Sequence, residues 1–180
     1  MVIGTKGPFP RLVDAVATWA AGGRRVWVQH GEGPLPASLE GAARVDREQL
    51  LVHMNEARAV VVHAGTGTIR DALSVGHVPV VVARRARFGE HVNDHQVEIA
   101  LALGDRIVAC EAPEDPVAFA AAIAGSAARR GVVQALPGDA LRASLMERLR
   151  DVRPARRAAL VWDVLARLTR GVTPRRRGSD

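Results

Sequence analysis

The chain has 180 residues, of which 48% are hydrophobic and 24% charged, and its formal net charge is +6 at pH 7. This length suits one domain of ordinary size with an appendage, and the balance of apolar and charged residues excludes a chain that is disordered throughout. With 3% aromatic residues and a single cysteine, the composition also excludes an aromatic platform for single-stranded nucleic acid, an intrachain disulfide and a thiolate-rich zinc site.

Short β-branched runs recur along the first 110 residues. They are VI at 2–3, VWVQ at 26–29, a shorter stretch around 43–45, AVVV at 59–62, VPVVVA at 78–83 and RIVA at 106–109. Segments with apolar residues at helical spacing occupy 10–22, 46–57, 67–76, 91–103 and 115–129. This alternation predicts an α/β fold with a Rossmann-like, doubly wound parallel sheet that helices cover on both faces.

Two apolar features of this pattern predict core positions. In the segment 91–103, the stripe of Val97, Ala100 and Leu101 is expected to face the sheet. Cys110, at the end of the last apolar run, is expected to be a small buried core residue rather than a nucleophile.

After Arg130 the alternation of β-branched runs and helical segments ends, and the sequence becomes rich in arginine. We predict a Rossmann-like domain over residues 1–130 and an Arg-rich helical extension with a mobile tail over 131–180, with helical patterns at 139–150 and from Pro154. From Arg129 onward there are 13 Arg against 5 acids, whereas the preceding part has 12 bases and 14 acids. A cationic appendage favours contact with lipid head groups, an acidic partner or nucleic acid, and a solvated Arg-rich helix is the alternative.

The sequence carries no signal for export or for a membrane span. The first residues, MVIGTKGPFP, lack the apolar region of a signal peptide. No stretch approaches the roughly 20 continuous apolar residues that a transmembrane helix needs. We therefore expect a cytoplasmic protein.

Three glycine-bearing segments follow predicted strands, where ligands bind in an open parallel sheet. They are GTKG from Gly4 with Thr5, QHGEG at 29–33, and HAGTGT at 63–68. In the third segment, two glycines allow close approach of the backbone, two threonines offer hydroxyls, and a following helix would direct free N–H groups at an anion. This segment lacks the third glycine of the dinucleotide fingerprint and the G-K-[ST] of the P-loop, which disfavours NAD and ATP.

Polar side chains cluster at two further places. Asp71 lies one turn into the helix that follows HAGTGT, where it is placed either to accept hydrogen bonds from a ribose or to compensate the helix dipole. The segment EHVNDHQ at 90–96, the polar corner, follows the fifth strand and a basic loop. Its dense set of donors and acceptors favours recognition of a polyhydroxylated group. It has histidine and carboxylate side chains that could bind a metal, but no H-E-x-x-H spacing, so recognition of a polyhydroxylated group fits it better. Asn93 or Asp94 is also placed as an ordinary N-cap of the helix that follows.

These motifs together resemble a known family. HAGTGTIRDAL from His63, then G-x-x-P-V-V-V from Gly76, then FGEHVNDHQ ending at Gln96 closely resemble the C-terminal, donor-binding half of glycosyltransferase family 28. Within that family, the resemblance is strongest to the stand-alone donor subunits of the two-component dolichol-linked N-acetylglucosaminyltransferase and of bacterial exopolysaccharide transferases. It covers about residues 1–125, including the Gly4-Thr5 pair.

The resemblance implies one half of a GT-B enzyme that binds a UDP-sugar and transfers the hexose with inversion. By position, the glycine loops would hold the diphosphate, Asp71 the ribose and the polar corner the sugar. Family members usually have Glu where this chain has Asp71. No cofactor or metal is expected, since helix N–H groups and basic side chains stabilise the departing diphosphate. The donor-binding residues implied are Gly4, Thr5, His63, Gly65, Thr66, Gly67, Thr68, Asp71, Asn93, Asp94, His95 and Gln96, and the catalytic candidates are His91 and Glu90.

The resemblance also implies a partner. Direct displacement at the anomeric carbon needs a general base, and in full-length relatives the acceptor-binding half precedes the donor half. We therefore expect a separate, membrane-anchored subunit to hold a lipid-linked or polysaccharide acceptor. This chain would then be peripheral at the inner face of the membrane, with the Arg-rich tail on the partner or on anionic lipid. Nucleic acid is not expected as a ligand.

Two other classes of function stay open at this point. A non-catalytic module that binds a nucleotide sugar or a partner could keep the same fold. A nucleic-acid binder working through the Arg-rich tail is disfavoured, because no recognition-helix motif is present. For a hydrolase, neither a nucleophile elbow nor a spaced carboxylate pair is visible.

Overall fold

A computed structural model of the chain describes residues 1–5 and 7–131. The predicted extension and tail, apart from residue 131, lie outside the described residues. The helices are α1 (Pro10–Ala20), α2 (Arg47–Glu56), α3 (Thr66–Ser74), α4 (His95–Leu103) and α5 (Pro116–Ala128), with single 3-10 turns at Ala86–Phe88 and Gly104–Arg106. The strands are β1 (Trp27–Gln29), β2 (Glu40–Ala42), β3 (Val61–His63), β4 (Val80–Val82) and β5 (Val108–Ala109).

Every strand pair is parallel, and Val2 joins the two groups of strands. β1 pairs with β2, while β4 lies between β3 and β5. Val2 forms parallel bridges to both Gln29 and Val62, so residues 1–3 lie between β1 and β3. The spatial order is therefore β2, β1, residues 1–3, β3, β4, β5. This is the doubly wound Rossmann order, in which the direction of winding changes between residues 1–3 and β3.

The core explains the valine runs. Val80 and Val82 belong to the apolar cluster that contains α1 and α5, and the intervening Val81 points to the other face, yet all three are at most 1% exposed. Successive strand residues face opposite sides of a sheet. Because α1 packs against α5 and α2 packs against α3, both faces are covered, and the predicted continuous apolar strands are confirmed. Cys110 is buried in the same cluster, as expected, and its burial raises the pKa of the thiol.

Proline and aspartate fix several helix starts. Pro10 and Pro116 occupy first turns, where the missing N–H costs nothing. The Asp46 carboxylate accepts from the Gln49 N–H, and the Asp115 carboxylate accepts from the Val117 N–H, so each caps its helix. These local signals explain why the predicted bounds of α1, α2 and α5 agree with the structure to within about two residues.

Two sequence predictions were wrong in position. The helical pattern over 91–103 becomes helix only from His95, with Asp94, one of the two N-cap candidates, at the N-cap position, and the Asn93 side chain accepts from the His95 N–H. Such local side-chain bonds compete with helix formation. The strand expected around 43–45 lies at Glu40–Ala42 instead, where two of its three residues are exposed and leave no apolar pattern.

The shift in α4 also changes its buried face. Leu101 is 70% exposed, so the predicted stripe was wrong, and Ile99 with Leu103 one turn later faces the core. Among the described helices, none combines the length and the apolar character that crossing a membrane requires.

Leu12 and Leu101 offer a test of this packing. Leu12 on α1 is fully buried, so Leu12→Ala should lower the free energy of unfolding by about 2–5 kcal/mol through lost burial and a residual cavity. Leu101→Ala removes the same atoms from an exposed site and should change it by less than about 0.5 kcal/mol. Urea denaturation of both variants checks this, and equal losses would contradict the assigned face of α4.

Candidate functional site

The three glycine loops meet at the point where the sheet changes direction. A Cβ built on Gly31 would lie 2.5 Å from the Gly4 carbonyl oxygen, and one built on Gly4 would lie 2.9 Å from Cε1 of His63. On Gly65 it would lie 2.3 Å from His63 Nε2. The backbone therefore packs too closely for side chains here, and Gly4 with φ +87° also needs the left-handed conformation that glycine tolerates. The three loops thus lie against one another at the carboxyl ends of residues 1–3, β1 and β3, the place where an open parallel sheet has its crevice.

Helix α3 opens onto this crevice with free donors. Its N-cap is Gly65, no side chain caps it, and its first turn contains no acidic residue. The N–H groups of Thr66, Gly67 and Thr68 have no acceptor within the helix, since the first turn of any α-helix lacks one. Around Gly67 there is open space, because a Cβ added there would meet no heavy atom within 4 Å beyond the backbone of its own helix. These N–H groups and the helix dipole together favour an anion.

His63 forms the floor between the first and third loops. Its Nδ1 is buried and has no hydrogen-bond partner among the described residues. Burial lowers the pKa of this imidazole to about 4, with the nearby charge of Arg84 as the next cause. His63 is therefore neutral at pH 7, and it can offer a hydrogen bond to a ligand but no positive charge.

Arg84 supplies a buried positive charge beside the glycine loops. It follows β4 and is only 3% exposed. Its Nη2 donates to the carbonyl oxygens of Ile3 (3.1 Å) and Gly7 (3.0 Å), and its Nη1 donates to that of Pro8 (2.6 Å). Within the described residues no carboxylate forms an ion pair with it, and burial lowers its pKa, opposed by the charge of Glu90. Arg84 thus fixes the shape of the first glycine loop and adds positive potential under the crevice.

Glu90, one of the two catalytic candidates, lies in a buried ion pair. Its Oε1 accepts from Arg11 Nε at 2.8 Å, and its Oε2 accepts from Arg11 Nη2 at 3.0 Å and from the Arg85 backbone N–H at 2.9 Å. The Glu90 side chain is only 5% exposed. Both oxygens are engaged, so the geometry gives Glu90 the task of tying the loop after β4 to α1.

The remaining side chains of the polar corner organise its backbone. The Gln96 amide oxygen accepts from the Arg84 N–H at 3.0 Å, and the Asp94 carboxylate accepts from the Ala86 N–H at 2.8 Å. Asn93 Oδ1 bonds to the backbone and ring of His95. The rings of His91 and His95 meet edge to face, with centroids 4.4 Å apart. The corner is thus an ordered loop that holds several polar groups next to Arg84.

Asp71 does not stand open at the mouth of the crevice. It is 6% exposed, and its carboxylate faces the guanidinium of Arg47, the first residue of α2, with Nη2–Oδ1 at 2.8 Å. The family resemblance implies that Asp71 binds the ribose, and this role stays a prediction. In the structure, Arg47 is the residue whose side chain lies nearest to the Asp71 carboxylate. Among residues 1–5 and 7–131, no group of three or more His, Cys, Asp or Glu side chains has the arrangement of a metal site.

Comparison with known proteins agrees with this architecture. The parallel sheet with glycine loops at its switch point is a Rossmann-like half of a GT-B fold, and residues 47–115 match the glycosyltransferase family 28 C-terminal domain. The chain is 36% identical over 83 residues to the UDP-N-acetylglucosamine transferase subunit ALG13 of Yarrowia lipolytica, a match that covers 46% of this chain and 38% of that protein. The match thus spans less than half of the relative. The resemblance to family 28 is confirmed, and the segment 47–115 contains every predicted site residue except Gly4 and Thr5.

Sequence reasoning missed three arginines of the site. Arg84 belongs to the basic loop after the fifth strand but was not singled out there, and its place two residues after a buried valine run at the carboxyl end of a central strand could have identified it. Arg11 and Arg47 carry no such signal, because their partners Glu90 and Asp71 lie 79 and 24 residues away in the chain.

The lowered pKa of His63 predicts a pH dependence. Between its ordinary value of 6.5 and the folded value of about 4, the unfolded chain takes up a proton that the folded ring does not, so stability falls as pH falls through this window. His63→Gln should reduce this loss by at most about 3 kcal/mol, since one pKa unit corresponds to about 1.4 kcal/mol. Urea denaturation across the window measures it. The pKa of His77 is also lowered, and its contribution to the pH dependence is the same in the original protein and in His63→Gln. Identical pH profiles of stability in the two proteins would contradict the lowered pKa of His63.

Proposed function

We propose that this chain is the donor-binding part of a glycosyltransferase that moves a hexose-type sugar from a UDP-sugar to an acceptor held by a partner subunit. The observation that carries the proposal is the uncapped, acid-free start of α3 at the switch point of the sheet. Buried Arg84 holds the first glycine loop and forms no ion pair with a carboxylate among the described residues. Such a site suits a dianionic diphosphate. The family match over residues 47–115 favours a nucleotide sugar over other diphosphates.

The diphosphate and the hexose of the donor would then contact different groups of the protein. The diphosphate would lie on the N–H groups of Thr66 to Thr68 and against the Gly4–Thr5 loop, with neutral His63 as a hydrogen-bonding floor. The hexose would reach the polar corner, where the Asp94 carboxylate and the amide of Gln96 are anchored to the backbone by one bond each. Their remaining hydrogen-bonding capacity suits sugar hydroxyls.

The reaction we propose is a single inverting displacement. The acceptor hydroxyl oxygen attacks the anomeric carbon while the bond from that carbon to the diphosphate oxygen breaks. The electron pair leaves with the diphosphate, and the hydroxyl proton goes to a base. On this chain, Arg84 and the start of α3 would stabilise the charge that develops on the leaving diphosphate, since both are fixed before the reaction.

The base is best supplied by a partner. Both oxygens of Glu90 are occupied by Arg11 and by the Arg85 N–H. The His91 Nδ1 accepts from the Asn93 N–H at 3.4 Å, so one of its two ring nitrogens is already engaged as an acceptor. This favours turnover only in a complex, and "subunit" is also the word in the name of the Yarrowia lipolytica relative. We further propose that this partner is membrane-anchored and brings the chain to the cytoplasmic face of the membrane.

The same observations leave one alternative, a module that binds a nucleotide sugar without turnover. It is favoured by the commitment of Glu90 and Asp71 to arginine partners. Assay of sugar transfer with and without the acceptor-binding subunit separates the two, since a non-catalytic module would bind the donor and turn it over in neither case.

A thermal-shift series with UDP, GDP, ADP and NAD tests the proposed ligand. A nucleotide that binds the folded chain raises its melting temperature by linkage, by about 2.7 kcal/mol of stability at a hundredfold excess over Kd. We expect UDP to give the largest shift. A response to NAD alone, or to none of the four, would overturn the proposed function.

Gly67→Ala separates ligand binding from folding. The new Cβ meets nothing in the protein, and alanine favours the helix by about 0.5 kcal/mol or more, so stability should be kept or raised. A methyl group in the diphosphate cradle should nevertheless weaken UDP binding by about tenfold, the cost of one charge-assisted hydrogen bond. Isothermal titration calorimetry measures this.

Gly125→Ala is the matched control. Gly125 lies within α5, and a Cβ there also meets nothing within 4 Å. This variant should gain similar stability and bind UDP like the original protein. Unchanged UDP affinity in Gly67→Ala would place the diphosphate elsewhere.

A further inference from the structure

A second basic group lies against the second turn of α3. Arg47, the first residue of α2, places its guanidinium on the Asp71 carboxylate of α3. The Nη2–Oδ1 distance is 2.8 Å, and Nε lies 3.2 Å from Oδ1 and 3.3 Å from Oδ2. The bond to Asp71 raises the pKa of Arg47, assisted by the negative charge of that carboxylate. A guanidinium bound in this two-pronged way loses much of its freedom to rotate.

The exposed fractions of the Arg47 and Asp71 side chains show which of the two a ligand could contact. The Asp71 side chain is 9% exposed, whereas the Arg47 side chain is 60% exposed. Both carboxylate oxygens face nitrogen atoms of Arg47, so a ligand hydroxyl could reach Asp71 only after Arg47 had moved away. The guanidinium is the outer layer, and Asp71 lies behind it.

The pair lies on the crevice side of α3. Asp71 is three residues after Thr68 and four after Gly67, positions that share one face of a helix, and α2 packs against α3. Arg70 adds a second guanidinium at 3.7 Å from Asp71 Oδ1. Two arginines against one carboxylate leave a net positive charge on the same face as the free N–H groups.

We infer that Arg47 is a binding residue for the phosphate groups of the nucleotide and that Asp71 is a positioning residue that holds it. This rests on the proposed function and deepens it. Arg47 then donates to a phosphate oxygen from the side of α3, while the N–H groups at the start of the helix donate from its end. Asp71 acts on the ligand only through Arg47, in place of the direct contact with the ribose that the family resemblance implies.

Calorimetric titration of the full chain with UDP and with 2′-deoxy-UDP tests this inference. Arg47→Ala should weaken both ligands equally, by about tenfold, because a phosphate contact does not depend on the ribose hydroxyl. The salt dependence of binding should also become weaker, since one charge contact is lost. Arg47→Lys keeps the charge but cannot bridge carboxylate and phosphate. Its affinity for UDP should therefore lie between those of the original protein and of Arg47→Ala.

The variant Asp71→Asn tests the positioning role of Asp71. It should weaken both ligands by less than Arg47→Ala does, and the double variant should be no weaker than Arg47→Ala alone, because the two residues act as one unit. Arg24→Ala is the control, since Arg24 follows the C-terminal end of α1, at the opposite edge of the sheet, and bonds to the Trp19 carbonyl. It changes the net charge equally and should leave affinity unchanged.

Each contrary result has a distinct meaning. Unchanged UDP affinity in Arg47→Ala, with the original protein binding UDP, would overturn this inference and leave the proposed function standing. Selective loss of the preference for UDP over 2′-deoxy-UDP in Asp71→Asn would also overturn it, because it would show a direct bond from Asp71 to the ribose. No binding of either nucleotide by the original protein would overturn both.

Discussion

The bonds from the Arg84 guanidinium to backbone carbonyls are the interaction on which the site depends. A buried arginine without a carboxylate is costly, because its charge leaves water and gains only dipoles in return. Three of those dipoles, the carbonyls of Ile3, Gly7 and Pro8, belong to the first glycine loop. Arg84 thus links the end of β4 to the loop after residues 1–3, and it holds an uncompensated charge at the switch point of the sheet.

This cost makes sense if an anion completes the arrangement. In the structure, Arg84 and the first turn of α3 bring positive potential to the same edge, while the neighbouring acid Glu90 is neutralised by Arg11 at 2.8 Å. Removing acids from the ligand side and pairing them elsewhere raises the attraction for a diphosphate without adding surface charge. Neutral His63 fits the same plan, since it can donate or accept a hydrogen bond without competing for the charge.

The fold was predictable from sequence, and the partners of charged side chains were not. Alternating valine runs and helical segments determine a parallel sheet, because both faces of each strand need apolar cover. The strand order, with residues 1–3 in the middle of the sheet, comes from the structure. In contrast, the pairs Arg11–Glu90 and Arg47–Asp71 join residues distant in sequence, and no local pattern relates them. Helical periodicity alone begins α4 too early, and the N-cap chemistry of Asn93 and Asp94 indicates its start at His95.

The same distinction bears on how the site can vary among related chains. Backbone N–H groups at the start of α3 depend only on the fold and on small residues at Gly65 and Gly67, so the proposed diphosphate site tolerates change elsewhere. The charged pairs are different, because in each of them the carboxylate holds an arginine from a distant part of the chain. The short Asp71 side chain keeps its charge close to α3, and the longer Arg47 side chain reaches outward. The proposed ligand contact at that edge is therefore a guanidinium, which favours phosphate over hydroxyl groups.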